Sequence, residues 1–105
     1  MILPIKNMSG AFNVKGQNVV VTGGNRGIGL GISEAYAQSG ANVAVLCRGS
    51  ESGEAAVENL RQYGTKCFFT YCDVGDAGSV KTAADEVFRQ FENVDVLVNN
   101  AGVST

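Results

Sequence analysis

Apolar residues fall in short continuous runs, and longer amphipathic stretches separate them. Val19-Val20-Val21, Val43-Ala44-Val45-Leu46-Cys47, Phe68-Phe69-Thr70-Tyr71 and Val96-Leu97-Val98 are apolar or β-favouring without a break. Runs of that length suit strands covered on both faces, as in a parallel sheet. The predicted strands are Asn18–Thr22, Asn42–Cys47, Lys66–Cys72 and Val94–Val98. The stretches between them repeat at helical spacing and predict helices over Ile28–Ser39, Glu51–Tyr63 and Ala77–Phe91. Ile28, Ile32, Ala35, Tyr36 and Ser39 mark the inner face of the first, and Val80, Ala84, Val87, Phe88 and Phe91 that of the third. Gly40 and Gly64 stop the first two helices, and Asp76 is placed to cap the third.

Strands alternating with helices of this length make an α/β fold with a parallel sheet. Right-handed crossovers then favour the strand order 3-2-1-4, with helices one and two on one face and helix three on the other. This is an incomplete doubly wound fold of the Rossmann type, with strand four at an edge. Met1 to Ala11 shows no clear period and reads as an N-terminal extension, with Met8 an alternative start. Residues 12–105 form the incomplete doubly wound domain.

Between the first strand and the first helix lies Thr22-Gly23-Gly24-Asn25-Arg26-Gly27-Ile28-Gly29. A strand, a glycine turn and a helix N-terminus in succession suit a phosphate group. Glycines let the backbone approach closely, and free N–H groups at the positive end of the helix face the anion. Alone, such a turn is a weak signal, since some glycines only tighten a strand-to-helix connection.

Composition narrows the function classes. The chain has 105 residues, 45% apolar and 17% charged, which indicates a globular domain. Its net charge of −2 and lack of a Lys/Arg cluster give no general attraction to nucleic acid or anionic membrane. There is no histidine, so zinc sites of the usual kind and His-based catalysis are excluded. Cys47, Cys67 and Cys72 have no metal-like spacing and lie in or beside apolar runs, so they read as buried free thiols in a reducing compartment. No apolar run approaches the ~20 residues of a membrane helix. The expectation is a soluble, cytoplasmic protein.

A second motif changes the weight of the glycine turn. Asn99-Asn100-Ala101-Gly102 directly follows the fourth strand. With Thr22-Gly23, Gly27, Gly29, Asp73-Val74 and Asp95-Val96-Leu97-Val98 in the same order and spacing, the chain resembles the short-chain dehydrogenase/reductase family from about Phe12 to Val103. The resemblance implies an oxidoreductase that moves a hydride between a nicotinamide dinucleotide and a carbonyl or secondary alcohol. It also implies roles. The turn from Gly23 to Gly29, with Asn25, Arg26, Gly27 and Ile28, carries the cofactor pyrophosphate. Asp73 accepts from the adenine amino group and Val74 borders the adenine. Asn99, Ala101 and Gly102 line the adenine-ribose side and stabilise the central strands. Asp73 also reads as a turn residue or cap, and Asn99 as a backbone-bonding structural residue.

The end of strand two selects the dinucleotide. An acid about 20 residues beyond the glycine turn bonds the ribose 2′-OH of NAD, whereas an arginine accommodates the 2′-phosphate of NADP. Here the position holds Arg48, and no acid follows until Glu51. Arg26 lies inside the turn, and Ser50 offers a hydroxyl donor. Two guanidiniums on one phosphate make charge-assisted hydrogen bonds. NADP(H) is therefore expected over NAD(H), the alternative for Arg48 being a solvated loop cation.

The family resemblance also implies a tyrosine four residues before a lysine, the tyrosine as general acid/base. Tyr36 is followed at that spacing by Gly40, Tyr63 by Cys67 and Tyr71 by Gly75. No catalytic residue is therefore carried over, and the 105 residues alone are expected to be inactive, the cofactor-binding fragment of a longer protein that forms homo-oligomers. The competing expectation is a truncated, non-catalytic module that binds nucleotide or a partner. Another Rossmann-type enzyme, such as a methyltransferase, is disfavoured by Asn99-Asn100-Ala101-Gly102.

Overall fold

The computed structural model describes residues 13–101. The expected extension over residues 1–11, Phe12 and the Gly102 position lie outside the described residues. Four strands, β1 (Asn18–Thr22), β2 (Asn42–Cys47), β3 (Cys67–Tyr71) and β4 (Val96–Asn99), alternate with three helices, α1 (Gly27–Gln38), α2 (Ser50–Leu60) and α3 (Ala77–Gln90). All strand pairs are parallel, in the order β3-β2-β1-β4. This is the incomplete doubly wound arrangement read from the alternation of elements.

Register converts the continuous apolar runs into two cores. Val19 and Val21 stand beside Val43 and Val45, and Val21 beside Val98. These residues pack with Ile32, Tyr36 and Ala37 of α1 and Val57 and Leu60 of α2. The intervening positions Val20, Ala44, Leu46 and Phe68 face the opposite way and meet Ala83 and Val87 of α3 and Phe91. Phe68 and Phe91 meet edge to face, ring centres 5.0 Å apart.

The structure corrects both helix faces. In α1 the buried residues are Gly29, Ile32, Ser33, Tyr36 and Ala37. Ala35 and Ser39 are exposed, and Ile28 is 72% exposed. Ser33 is a polar residue in a core position because its hydroxyl donates to the Gly24 and Gly29 carbonyls, 3.2 and 3.0 Å away. In α3 only Ala83, Val87 and the following Phe91 are buried; Phe88 is 60% exposed and Val80 42%. Leu97, whose register partner Val20 faces α3, is 60% exposed as well. The predicted stripe is wider than the sheet surface that α3 covers.

Element ends shift for local reasons. α2 stops at Leu60 and tightens into a 3-10 turn over Arg61–Tyr63, closed by Gly64 at φ +83°. β4 starts at Val96, two residues late, because Asp95 begins the pairing with its side chain. The Asn18 backbone N–H donates to Asp95 Oδ2 at 2.8 Å, while the Asp95 N–H donates to the Asn18 carbonyl. Asn42 Nδ2 donates to Asn18 Oδ1 at 2.9 Å, and the Lys66 N–H donates to Asn42 Oδ1 at 3.0 Å. A polar ladder thus ties the N-terminal ends of all four strands.

Candidate functional site

The glycine turn is bent by backbone conformations that glycine adopts freely. Gly23 and Gly27 have φ of +67° and +60°. Gly29 is required for a different reason. A Cβ there would overlap the Gly23 carbonyl oxygen and lie 2.6 Å from Asn100 Nδ2. Its absence lets the first turn of α1 close onto the end of β1.

A pin fastens this turn to the segment after β4. The Thr22 hydroxyl accepts from the N–H groups of Asn100 and Ala101, 2.9 and 3.0 Å away. Its own hydrogen lies within reach of the Val98 carbonyl and Asn99 Oδ1, 3.4 and 3.3 Å away. Asn100 Nδ2 donates to the Gly23 carbonyl at 3.3 Å. The Asn99 side-chain oxygen thus faces the Thr22 hydroxyl, and its neighbour Asn100 lines the cleft. Thr22 as a pin is not visible in the linear order.

All three helices start at the C-terminal end of the sheet, but their N-termini differ. Asp76 caps α3, accepting from the N–H groups of Gly78 and Ser79. Among the described residues no side chain caps α1 or α2. Their first-turn N–H groups therefore remain to satisfy an outside acceptor, and the helix dipoles favour an anion.

Between these open ends lies a cleft of about 1000 Å³. Of the residues proposed from the sequence, Gly23, Asn25, Arg26, Ile28, Arg48, Asp73, Val74 and Ala101 line it. Gly27, Gly29, Ser50 and Asn99 do not. Gly27 and Gly29 shape the turn from behind, and Ser50 is exposed at the start of α2. Cys47, Gly49, Ser52, Cys72 and Asn100 line the wall as well, and no spacing in the sequence marks them for it. Two residues along α2 are about half a helical turn, so Ser52 lies on the opposite side of the helix from Ser50 and lines the cleft.

Charge is distributed unevenly in the cleft. Arg26 and Arg48 stand exposed on its wall, and among the described residues neither guanidinium has a carboxylate or hydrogen-bond partner. Across it, Asp73 Oδ1 accepts from the Gly75 N–H at 3.0 Å, and the Asp73 N–H donates to Ser79 Oγ at 2.8 Å. Asp73 is thus both a turn residue and part of the wall.

All three cysteines are free and buried. Burial pushes the Cys47 thiol up, partly offset by the Gly49 backbone and by the Arg26 charge. Burial and the adjacent Asp73 carboxylate raise Cys72. Both therefore stay protonated at neutral pH and serve as packing residues rather than nucleophiles. Among the described residues no helix is long and apolar enough to cross a membrane.

A parallel sheet, a glycine turn entering an uncapped helix, and Asn-Asn-Ala pinned against that turn are set in one cleft. Residues 17–105 match the family model for short chain dehydrogenases. The chain belongs to this family. It is 45% identical over 89 residues to the 3-oxoacyl-(acyl-carrier-protein) reductase FabG of Staphylococcus aureus, covering 84% of this chain and 36% of that protein. The structure of L-sorbose reductase from Gluconobacter frateurii, complexed with NADPH and L-sorbose, superposes with a TM-score of 0.84 at 31% identity, over 89% of this chain and 36% of that one. NAD+-bound xylitol dehydrogenase superposes with a TM-score of 0.82 at 34% identity, over 85% and 34% of the two chains. The chain thus spans about a third of the length of these short-chain dehydrogenases, all of which are oxidoreductases.

Proposed function

We propose that this chain is the NADP(H)-binding part of a short-chain dehydrogenase/reductase that moves a hydride between NADP(H) and a carbonyl or secondary alcohol. The observation that carries the cofactor choice is the pair Arg26 and Arg48, both on the cleft wall and both without a partner among the described residues. An acid at position 48 would repel a 2′-phosphate; an arginine attracts it.

The cleft fits the cofactor on its own chemistry. The uncapped N-terminus of α1 supplies N–H donors for the pyrophosphate, with Gly23 and Ile28 beside it. Asp73 and Val74 suit the adenine, and Asn100 and Ala101 stand where the wall closes. When bound, the nicotinamide supplies the hydride chemistry. These residues bind and orient; no Tyr-x-x-x-Lys pair occurs in the 105 residues to transfer the accompanying proton. The role assigned to this segment is therefore cofactor holding, within a cytoplasmic enzyme whose proton-transfer and substrate groups are contributed from outside the segment.

Separate titrations with NADPH and NADH test the assignment. NADPH should bind about tenfold or more tightly, and Arg48→Asp should weaken it about 100-fold while leaving NADH little changed, as expected for losing charged hydrogen bonds and adding repulsion. Equal binding of both cofactors before and after the substitution overturns the choice of NADP(H).

A further inference from the structure

Asn25 directly precedes Arg26, and Gly49 directly follows Arg48. One hydrogen-bond chain joins them. Asn25 Nδ2 donates to Ser52 Oγ at 2.8 Å, and Ser52 Oγ donates to the Gly49 carbonyl at 3.2 Å. The link spans the cleft wall from the glycine turn to the first turn of α2. Space around it is tight. A Cβ on Gly49 would lie 2.6 Å from Ser52 Oγ, so a side chain at this position displaces the bridging hydroxyl.

Neither arginine is held by a partner of its own among the described residues. Where each guanidinium can reach is therefore governed by the backbone that carries it. Those two backbones lie on different elements, β1–α1 and β2–α2, and no backbone–backbone hydrogen bond joins Asn25 or Arg26 to Arg48 or Gly49 among the described residues.

We infer that Asn25, Ser52 and Gly49 form a clasp that sets cofactor selectivity. It holds the backbones of Arg26 and Arg48 at one separation and so preorganises the pair for a phosphate on the cofactor ribose. The inference rests on the NADP(H) reading above and adds the residues that make the arginine pair act together. Preorganisation lowers the ordering cost of binding, and only a ligand that engages both arginines gains from it. NADH has no phosphate at that position, so its affinity is insensitive to the clasp. Asn25 and Ser52 are positioning residues here, acting through the arginines.

The clasp can be broken from three directions. Asn25→Ala removes the donor, Ser52→Ala removes the bridge, and Gly49→Ala keeps both polar groups but displaces the hydroxyl. Gly49 has φ −87° and ψ 104°, which alanine adopts without strain. In the 105-residue chain, each variant should lower the NADPH/NADH affinity ratio about five- to tenfold, the scale of one lost hydrogen bond, and Ser52→Ala and Gly49→Ala, which leave the glycine turn itself intact, should change NADH binding less than about twofold. The Asn25→Ala/Ser52→Ala double variant should weaken NADPH no more than either single change, because both remove the same link. Ser52→Thr, which keeps a hydroxyl, should retain the native NADPH/NADH ratio. Thermal unfolding of each free variant confirms that the comparison is between folded proteins.

An unchanged NADPH/NADH ratio in the three variants, with Arg48→Asp still selective against NADPH, overturns the clasp alone. Additive losses in the double variant also overturn it, since they make Asn25 and Ser52 separate direct ligands. A native chain that shows no preference for NADPH, or binds neither cofactor, overturns the reading of the site and the clasp with it.

Discussion

The two ends of the sheet are built from similar residues and put to opposite use. At the N-terminal ends of the strands, Asn18, Asn42, Asn93 and Asp95 satisfy one another and the neighbouring backbone. Asn18 Nδ2 donates to the Asn93 carbonyl, and Asn93 Nδ2 to Asp95 Oδ1, both at 2.9 Å. At the C-terminal ends, two helices begin without a capping side chain, and two arginines stand without a partner among the described residues. α3 shows that the difference is local, because its N-terminus lies at the same end yet carries its own cap in Asp76. A helix end that binds its own carboxylate has no need of an anion. Satisfied polar groups stabilise the fold, whereas groups left over at one end make a site.

The sharpest way to break this contrast is at Gly29. Gly29→Ala drives a Cβ into the Gly23 carbonyl and toward Asn100. The turn must open, at a cost of about 3 kcal/mol, the upper part of the range for overpacking. NADPH binding should fall at least about 100-fold, since the donors at α1 are displaced with it. Gly27→Ala is the control. Its Cβ would meet no atom within 4 Å, so only the φ of +60° resists, at about 1 kcal/mol. Urea unfolding and cofactor titration of the pair check both effects; similar losses in the two variants would contradict the close-approach argument.

A smaller effect is expected at the opposite end. Asp95→Ala removes the carboxylate that accepts from the Asn18 N–H and from Asn93 Nδ2. Stability should drop by about 1–2 kcal/mol, because these are charge-assisted bonds at an exposed position. NADPH affinity should stay within about twofold of native, since the site lies at the other end of the strands. A loss of affinity larger than the loss of stability explains would show that the two ends are coupled.

The smallest change tests the capped helix. Asp76→Ala removes the acceptor for the Gly78 and Ser79 N–H groups and should lower stability by about 1 kcal/mol, seen as a reduced urea midpoint. It also leaves α3 uncapped, like α1 and α2. If the uncapped variant then bound a free anion as tightly as the native cleft does, the arginine pair would add nothing to the open helix ends.

Much of this molecule was legible before folding was considered. The continuous valine runs required strands covered on both sides, and the observed β1 and β2 bounds match the predicted ones. Gly40 and Gly64 end their helices in the positive-φ region, as glycine stops do. Asp76 caps α3 as its place before Ala77 suggested. Less legible was which residue of a similar pair turns inward. Ser52 rather than Ser50, and Asn100 rather than Asn99, line the cleft. Adjacent polar residues carry no period that distinguishes them; the rotation of α2 and the end of β4 do. The apolar stripe of α3 exceeds its buried face for a related reason. Helical periodicity marks an apolar face but not how much of it a neighbour covers, and Phe88 and Val80 remain largely exposed.

By itself the amino-acid sequence determined the order of elements, the two-sided burial of the strands, and the glycines without which the turn cannot close. It also determined that an arginine, and no acid, follows β2. These depend on local propensity, side-chain volume and charge, which act between near neighbours. Only the tertiary structure decided that Thr22 pins Asn100 and Ala101, 78 and 79 residues away, and that Asn25 meets Ser52 across 27 residues. Those hydrogen bonds exist because parallel register and helix rotation bring distant backbones to one end of the sheet, and no local rule specifies which side chains arrive there.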